Sequence, residues 1–412
     1  MRHVIVVDLG YGDAGKGSIV DWLCASRPVH AVVRFNGGAQ AAHTVVLRDG
    51  RSHTFAQFGA GTLRPEVRTH LSRFMVVDPL ALSTEADHLA AIGVPDALER
   101  LTIDAGAPLA TPYHRAANQA RERARRHNRH GSCGIGVGET MAYLLAHPDE
   151  APRVRDCRAP ALLRRKLDAL RERLAADVGE LDAPPVDHCV TAFTAFANRV
   201  SIVDPEFTGR LLHTGTVVFE GAQGALLDEW HGFHPYITWS TTTSANAETL
   251  LAEAGLAGEA TRLGVLRTFT TRHGPGPLVT EDPTLPLTDP HNPTNPWQGP
   301  FRIGHFDAVA HRYALEVTNG VDGLALTHLD MTDRGLRMCH SYDWTDRLVP
   351  GPPGDLHRQE ALTRRLMTTR PVYHRPPRDW IAAVEEELAT PVVIASHGPT
   401  AEDKLCCVRY CI

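Results

Sequence analysis

The stretch GYGDAGKGS near the N-terminus has the residue types and spacing of a loop that binds phosphate groups. Gly10, Gly15 and Lys16 match the G-x-x-x-x-G-K pattern, in which backbone N–H groups and a lysine surround the phosphates of a nucleotide. Two positions depart from that pattern. Gly17 stands where a Ser or Thr hydroxyl usually holds magnesium, and the acid Asp13 lies inside the loop. The sequence therefore predicts a nucleotide site with a carboxylate beside the phosphates.

The segments around this loop are expected to position it. HVIVVDL predicts a strand before the loop and IVDWLCAS predicts a helix after it, so the free N–H groups at the start of the helix would face an anion. Further strands are predicted at HAVVRF, MVVD (75–78), TVVFEG (216–221), GLALTHLD (323–330) and PVVIAS (391–396). We predict an α/β fold over residues 1–412: a single large P-loop-like domain with a central, mainly parallel sheet and helical and loop excursions.

Three other segments have distinct compositions. Residues 114–127 and 160–178 are charged and favour helix, and we interpret both as surface helices rather than binding faces. Residues 283–300 are rich in proline and predict a long loop, which within a compact domain is often functional.

The overall composition excludes several classes of protein. The net charge is −6 and no basic tract is present, which argues against nucleic acid as a partner. The eight cysteines form no C-x-x-C pair, so we expect free thiols and no structural metal. No apolar run approaches the length of a membrane span, and the chain starts in a predicted strand rather than a signal peptide. We expect a cytoplasmic protein that does not contact membranes.

Ten separated stretches, in chain order, resemble the adenylosuccinate synthetase family, whose members use GTP to join aspartate to inosine monophosphate. The stretches are LGYGDAGKGSIVD, VRFNGGAQAAHTVV, FGAGTL, GIG (134–136), VVFEGAQGALLD, HPYITWSTTTSA, TRHGPGPLVTE, RIGHFDAVAHR, THLDMTD and ASHGP. The resemblance implies a GTP-dependent ligase that forms a C–N bond, requires Mg²⁺ and acts on small molecules as a homodimer.

The resemblance also implies roles for the unusual loop. Asp13 would remove the N1 proton of a purine and help to coordinate Mg²⁺, together with the backbone carbonyl of Ala42. Lys16 would contact the GTP phosphates, while His43 and Gln223 would stabilise the negative charge that develops during phosphoryl transfer. Taken alone, Asp13 could merely form a local turn hydrogen bond, and His43 could be an ordinary packing residue.

The same resemblance implies three sets of binding residues. The GTP set is Gly12, Asp13, Ala14, Gly15, Lys16, Gly17, Ser18, Ala42, His43, Thr44, His328, Asp330, Ser396 and Gly398. The acceptor set is Asp13, Gln40, Ser132, Gln223 and Thr238, and the amine set is Arg302 and Gly299. Asp330 would accept the N–H donors of guanine and His328 would stack on the base, although an Asp after a strand is often only a helix cap.

Three departures from the family pattern concern recognition. The family loop that binds aspartate contains an arginine pair, whereas residues 292–305 here contain Arg302 alone. The segment that follows GIG lacks an arginine before Arg153, although a family arginine there reaches the neighbouring subunit and holds the 5′-phosphate. Gln40 replaces an asparagine that contacts phosphate, and Ser132 is the one hydroxyl residue left in the stretch GSC.

We therefore predict a specialised family member. It would phosphorylate the oxo oxygen of a purine nucleotide such as IMP, or of a related acceptor, and an amine, aspartate or another, would displace the phosphate. One alternative is an ordinary adenylosuccinate synthetase of AMP biosynthesis in which Arg272 or Arg312 supplies the missing charge. The other is a nucleotide-binding regulator without catalytic activity.

Overall fold

The computed structural model describes residues 2–289, 292 and 296–407, which contain sixteen strands and eleven α-helices. The strands are β1 His3–Asp8, β2 Val29–Arg34, β3 His43–Val46, β4 Ser52–Phe55, β5 Arg68–Leu71, β6 Leu101–Asp104, β7 Ser201–Val203, β8 Thr216–Glu220, β9 Ala260–Arg267, β10 Phe269–His273, β11 Phe301–Asp307, β12 Gly323–Thr327, β13 Met338–Tyr342, β14 Pro371–Tyr373, β15 Val392–Ser396 and β16 Lys404–Cys406. The helices are α1 Lys16–Ser26, α2 Pro79–Ala91, α3 Pro112–Ala124, α4 Val137–Ala146, α5 Pro160–Val178, α6 Val186–Ala197, α7 Phe207–Thr214, α8 Ala245–Glu253, α9 Ala308–Val317, α10 Leu356–Leu366 and α11 Trp380–Leu388.

A ten-stranded sheet forms the centre of the protein, in the order β16-β15-β12-β9-β1-β8-β2-β5-β6-β7. Its strand pairs are parallel except β15 with β16. All six residues of β1 are buried, because helices and loops cover both faces of a parallel sheet. One hydrophobic cluster contains Val4 and Val6 and a second contains Ile5 and Val7, so the two faces of β1 pack into different parts of the core.

The carboxyl ends of the parallel strands meet at one edge of the sheet and carry the predicted site. The phosphate loop follows β1, the segment with Gln40 follows β2, and the segment with Gln223 follows β8. In open α/β sheets, ligands bind at this edge. The protein contains two smaller sheets. One is the hairpin of β3 and β4, which starts at His43, and the other has the strand order β10-β11-β13-β14.

The predicted fold class is confirmed, as are most of the predicted elements around the loop. The strand predicted at 75–78 is wrong. Val77 forms only an isolated bridge with Leu109, and Asp78 then caps helix α2, accepting hydrogen bonds from the N–H groups of Leu80 and Ala81. Asp followed by Pro is a helix start signal. The apolar residues before it therefore lead into helix α2 and do not form a strand.

Other predictions concern the cysteines, membrane spans, the proline-rich loop and the number of domains. The described cysteines are all free, and Cys411 lies outside the described residues. Within the described ranges, no helix is both long and apolar enough to span a bilayer. The described part of the predicted 283–300 loop forms neither helix nor strand, while residues 290, 291 and 293–295 lie outside it. The assignment of residues 1–412 to a single domain stays a prediction.

Candidate active site

Asp8, the last residue of β1, organises the phosphate loop. Its carboxylate accepts hydrogen bonds from the backbone N–H groups of Gly10 (2.8 Å), Gly12 (3.2 Å) and Ala14 (2.9 Å). The ammonium of Lys16 lies 3.0 Å from the same carboxylate and donates to the carbonyl of Gly12 at 2.7 Å. Both charged side chains are fully buried, so they neutralise each other inside the loop. Sequence reasoning missed Asp8, although an acid at the end of a strand before a glycine-rich turn was a visible signal.

The loop ends at the N-terminus of helix α1. Gly15 adopts a left-handed conformation with φ 94°, and no side chain caps the first turn of the helix. The Ser18 hydroxyl donates to the carbonyl of Gly15, and the Thr327 hydroxyl, at the end of β12, donates to the carbonyl of Ala14. The free N–H groups of the helix start thus remain available to an anion.

Close packing of His43 explains the glycine at position 17. A Cβ atom built on Gly17 would lie 2.8 Å from the Cβ atom of His43 and 3.0 Å from its carbonyl carbon. A Ser or Thr at this position would collide with His43, so the hydroxyl of a standard phosphate loop cannot be accommodated.

His43 is held from behind by a carboxylate that sequence reasoning did not identify. Its Nδ1 lies 2.6 Å from Oε1 of Glu220, the last residue of β8, and the other oxygen of Glu220 accepts from the N–H of Ala60. Burial lowers the pKa of His43 to about 4. Burial alone would raise the pKa of Glu220, but the hydrogen bond with His43 and the positive charge of Arg34 hold the pKa below its ordinary value. Glu220 is therefore an ionised acceptor that fixes the orientation of the imidazole ring.

Asp13 lies beside His273, with 3.7 Å between its Oδ2 and Nε2 of the histidine. Burial raises the pKa of the Asp13 carboxyl above its ordinary value, while His273, Arg267 and Lys16 oppose the shift. A carboxylate with a raised pKa is a stronger base than one in water.

Gln223 occupies a strained backbone position next to the phosphate loop. Its φ of 56° is rare for a residue with a side chain. A Cβ atom on Gly12 would lie 3.1 Å from the Cα atom of Gln223, so the two loops are in close contact. Nε2 of Gln40 donates to Oε1 of Gln223 at 3.4 Å, which links two residues of the predicted acceptor set.

A cavity of about 700 Å³ brings most of the predicted catalytic and acceptor residues together. We call one part of its lining the loop-side wall, formed by Gly12, Asp13, Gln40, Ala42, His43 and Gln223. We call another part the helix-side wall, formed by Asn118, Arg121, Glu122, Arg125, Ser132 and Glu139. Thr238 and His273 also line the cavity.

Residues 114–127, interpreted as a surface helix rather than a binding face, have exposed residues such as Arg115, Arg123 and Arg126, but one side of the segment lines the cavity. Asn118, Arg121, Glu122 and Arg125 of this segment line the cavity, and the Ser132 hydroxyl donates to the side chain of Asn118 at 2.9 Å. These four residues have the spacing i, i+3, i+4 and i+7, which places them on one side of a helix. That spacing was visible in the sequence, but a charged stripe is normally solvated and did not indicate a cavity.

The amine-binding candidates do not line the cavity. Arg302 forms an ion pair with Glu281, with 3.0 Å between Nε and Oε1, and its Nη1 donates to the carbonyls of Gly274 (3.0 Å) and Gly276 (2.8 Å). The other guanidinium nitrogen also donates to Glu281. Gly299, with φ 96°, follows the turn at 296–298 and lies beside Gly274.

Arg272 and Arg312, which were considered as replacements for the missing arginine charge, also have hydrogen-bond partners within the protein. Arg272 is 2% exposed and stacks on Tyr11, and its three guanidinium nitrogens donate to the carbonyls of Pro275, Pro277 and Tyr236. Arg312 pairs with Glu387 and donates to the carbonyls of His340 and Asp346.

The residues predicted to bind guanine lie at the ends of β12 and β15, outside the cavity. His328 follows β12 in a left-handed conformation with φ 60°, and Asp330 is exposed two residues later. Ser396 donates to the carbonyl of Gly398, which also accepts from the Lys404 ammonium at 3.0 Å. Burial lowers the pKa of Lys404 to about 8, although Asp403, Asp21 and Asp330 oppose the shift. Thr44 lies in the β3–β4 hairpin, where its hydroxyl contacts that of Thr54.

Known proteins match the chain over nearly its whole length. The family model for adenylosuccinate synthetase matches residues 5–405. The adenylosuccinate synthetase of Marinomonas sp. (strain MWYL1) is 33% identical, with 98% of each chain covered. That of Methylibium petroleiphilum is 31% identical, with 97% of this chain and 96% of the relative covered.

Two solved structures share the fold. Fully ligated adenylosuccinate synthetase from Plasmodium falciparum has a TM-score of 0.82 at 22% identity, covering 99% of this chain and 100% of that one. Succinoaminodeoxyadenylate synthetase of cyanophage S-2L, bound to dGMP and to dATP as an energy donor, has a TM-score of 0.63 at 21% identity, covering 98% and 95%. The chain belongs to the adenylosuccinate synthetase family of GTP-dependent ligases that form C–N bonds.

Proposed function

We propose that this protein is a specialised member of its family. It uses GTP and Mg²⁺ to phosphorylate the oxo oxygen of a purine nucleotide such as IMP or of a related acceptor, and an amine then displaces the phosphate. The nucleotide, the amine or both differ from the usual pair. The expected homodimer is part of this proposal.

Asp13 is the proposed base. An amide-like oxygen is a poor nucleophile until the neighbouring N–H loses its proton, so a base must lie beside it. The raised pKa of Asp13 and its position in the cavity lining support this role. His273, 3.7 Å away, stabilises the ionised carboxylate before the proton is taken.

Lys16, His43 and Gln223 are proposed to stabilise the phosphoryl group in transfer. Their chemistry suits this role, because phosphoryl transfer depends on positioning and charge neutralisation. Glu220 orients His43, and the negative charge of a nearby phosphate would raise the pKa of that imidazole and favour its protonated form, whose free N–H can donate a hydrogen bond to the phosphoryl group.

The residues present suit Mg²⁺. Among the described residues, no group of three His, Cys, Asp or Glu side chains could enclose a metal ion. Mg²⁺ bound to nucleotides needs only one or two protein ligands, because phosphates and water supply the others. The Asp13 carboxylate and the carbonyl of Ala42 would hold it, and it would neutralise charge on the phosphates.

The nucleotide base is proposed to contact the ends of β12 and β15. Asp330 is exposed and can accept two N–H donors of guanine, while His328, Ser396 and Gly398 would border the base. The remaining loop residues, from Gly12 to Ser18 with Thr44 nearby, would contact the phosphates and ribose.

The hydrogen bonds of Arg302 are the observation that supports a specialised role for this protein. Its guanidinium already donates to Glu281 and to two backbone carbonyls. It therefore has no pair of free N–H groups that could bind a carboxylate of aspartate. Loss of such charge-assisted contacts weakens recognition by roughly 1.5–3 kcal/mol per hydrogen bond.

Phosphate release from GTP and Mg²⁺ in the presence of IMP tests the proposal across a panel of amines that includes aspartate. We expect little release with aspartate and clear release with another amine or another acceptor. Release with aspartate at rates typical of the family would contradict the specialised role. Absence of release with every amine and acceptor would contradict catalysis itself.

A further inference from the structure

The helix-side wall presents two arginine side chains to the cavity. Arg121 and Arg125 line it, and their side chains are 36% and 35% exposed. Arg121 lies in the last turn of α3 and Arg125 follows the helix directly, so the two side chains are neighbours at the spacing i, i+4. Like charges at this spacing repel each other. An anion bound between the two guanidinium groups would therefore stabilise both.

The carboxylates that pair with these arginines are much less exposed. Glu122, which contacts Nη1 of Arg125, is fully buried, and Glu139, 3.1 Å from Nε of Arg121, is 13% exposed. Asp177 lies 3.2 Å from Nη2 of Arg121 but does not line the cavity. The four charges in the lining sum to zero, yet the more exposed members are the two cations.

Several N–H donors of this wall are unused and accessible. Arg125 pairs with Glu122 through Nη1, which leaves its Nε and Nη2 without a partner among the described residues. Nη1 of Arg121 is also unused there, as is Nδ2 of Asn118. None of these four nitrogens is among the buried polar atoms that lack a partner, so each retains surface that a ligand can reach.

A phosphate group suits this set of donors. Guanidinium groups bind phosphate oxygens through pairs of N–H groups, and the amide of Asn118 adds a neutral donor. The Ser132 hydroxyl, predicted to contact the acceptor, lies 2.9 Å from Oδ1 of Asn118, so the donors adjoin the predicted acceptor set. The phosphates of GTP are proposed to bind elsewhere, at Lys16 and the start of α1. An anion at the helix-side wall would therefore belong to the acceptor.

We infer that Arg121 and Arg125 bind the phosphate group of the acceptor. This inference rests on the proposed function and identifies the acceptor as a nucleoside monophosphate. It also assigns a replacement for the arginine that is missing after GIG, because the two arginines of the α3 segment supply the positive charge from within the same chain. Recognition of the acceptor phosphate then requires no arginine from a neighbouring subunit.

The test is calorimetric binding of IMP and GMP, each compared with its nucleoside, in the presence of Mg²⁺ and a non-hydrolysable GTP analogue. The wild type should bind at least one monophosphate more tightly than the nucleoside. Arg121→Gln should weaken binding of that monophosphate about tenfold without weakening that of the nucleoside. Arg125→Lys keeps a charge beside Glu122 but loses the planar guanidinium, so it should weaken binding about threefold. The affinity for the GTP analogue should not change in either variant, which also shows that the fold is intact.

Arg173→Gln is the matched control, because Arg173 pairs with Glu150 on the surface and does not line the cavity. It should leave every affinity unchanged. Three results would overturn the inference: neither monophosphate binds more tightly than its nucleoside, both arginine variants bind the monophosphate as the wild type does, or both lose affinity for the GTP analogue to the same extent. Binding does not depend on turnover, so these results are distinct from a failure to release phosphate with any amine.

Discussion

The two walls of the cavity differ in how they relate to the family. The loop-side wall contains the residues proposed to activate an acceptor oxygen. Buried contacts from Asp8 to Gly12 and from Glu220 to His43 hold this wall in place. In the helix-side wall and around Arg302, by contrast, the charged side chains form ion pairs with one another. Activation chemistry tolerates little change because several groups must meet at one oxygen, whereas recognition can be altered one contact at a time.

Removal of the proposed base should have the largest effect. We expect Asp13→Asn to lower the rate of phosphate release about a thousandfold, because general base catalysis typically contributes about 10²–10⁴. The affinity for GTP, measured by calorimetry, should change little. Asp333→Asn, on the exposed surface, is the control and should be neutral. A rate for Asp13→Asn close to that of the wild type would remove Asp13 from the mechanism.

Acid should weaken the fold through buried histidines in both regions. Burial lowers the pKa of His114, which lies in α3 on the helix side, from 6.5 to about 3, and that of His43 to about 4. Below pH 6.5 the unfolded chain binds protons that the folded chain excludes, so the free energy of unfolding falls as pH falls. Each histidine contributes about 1.4 kcal/mol per pH unit until its folded pKa is reached.

His114→Asn isolates one of these contributions. The amide oxygen of Asn can replace Nδ1 as an acceptor at Thr111. Urea unfolding between about pH 6 and 4 should show a pH slope smaller by about 1.4 kcal/mol per unit than that of the wild type. An unchanged slope would mean that His114 does not stay neutral in the folded protein.

Gly17→Ala tests the packing of the loop-side wall. The added Cβ atom would lie 2.8 Å from that of His43, so we expect a loss of about 1–3 kcal/mol in stability and about tenfold in rate. Gly209→Ala in α7 is the control, because the nearest atom to its added Cβ would be 3.9 Å away, and alanine there should raise stability by about 0.5–1 kcal/mol. Unfolding curves and phosphate release measure both effects. Equal behaviour of the two variants would contradict the steric explanation for Gly17.

Glu281→Gln should give the smallest effect and addresses the Arg302 region. Weakening the ion pair frees part of the guanidinium, so phosphate release supported by aspartate should increase about threefold. Glu316→Gln, which breaks the surface pair with Arg347, is the matched control and should have no effect. A decrease with Glu281→Gln would show that the ion pair itself supports the site.

Much of the fold was predictable because its signals are local. The strand, glycine-rich loop and helix around Asp13 follow from residue types within about twenty positions. The run at 75–78 was misassigned because an apolar segment that is buried next to a helix start has the same composition as a strand. The site was predictable only where motifs of the family persist.

The contacts within the candidate site were not predictable, because they join distant segments. Glu220 and His43 are separated by 177 positions, and Ser132 meets Asn118 only after α3 packs beside the following loop. The sequence identifies Arg302 as the arginine of its loop, but it does not show that Arg302 forms an ion pair with Glu281. Pairing between charges is a tertiary property, and counting arginines does not reveal which of them are free.

Positional isotope exchange in GTP labelled with heavy oxygen at the β–γ bridge tests the central claim most directly. The experiment uses Mg²⁺, no amine, and an acceptor that supports phosphate release when an amine is present. If the loop-side wall phosphorylates the acceptor independently of the amine, the label should scramble, and Asp13→Asn should abolish the scrambling while GTP still binds. No scrambling in the wild type with such an acceptor would contradict a phosphorylated intermediate formed before the amine reacts.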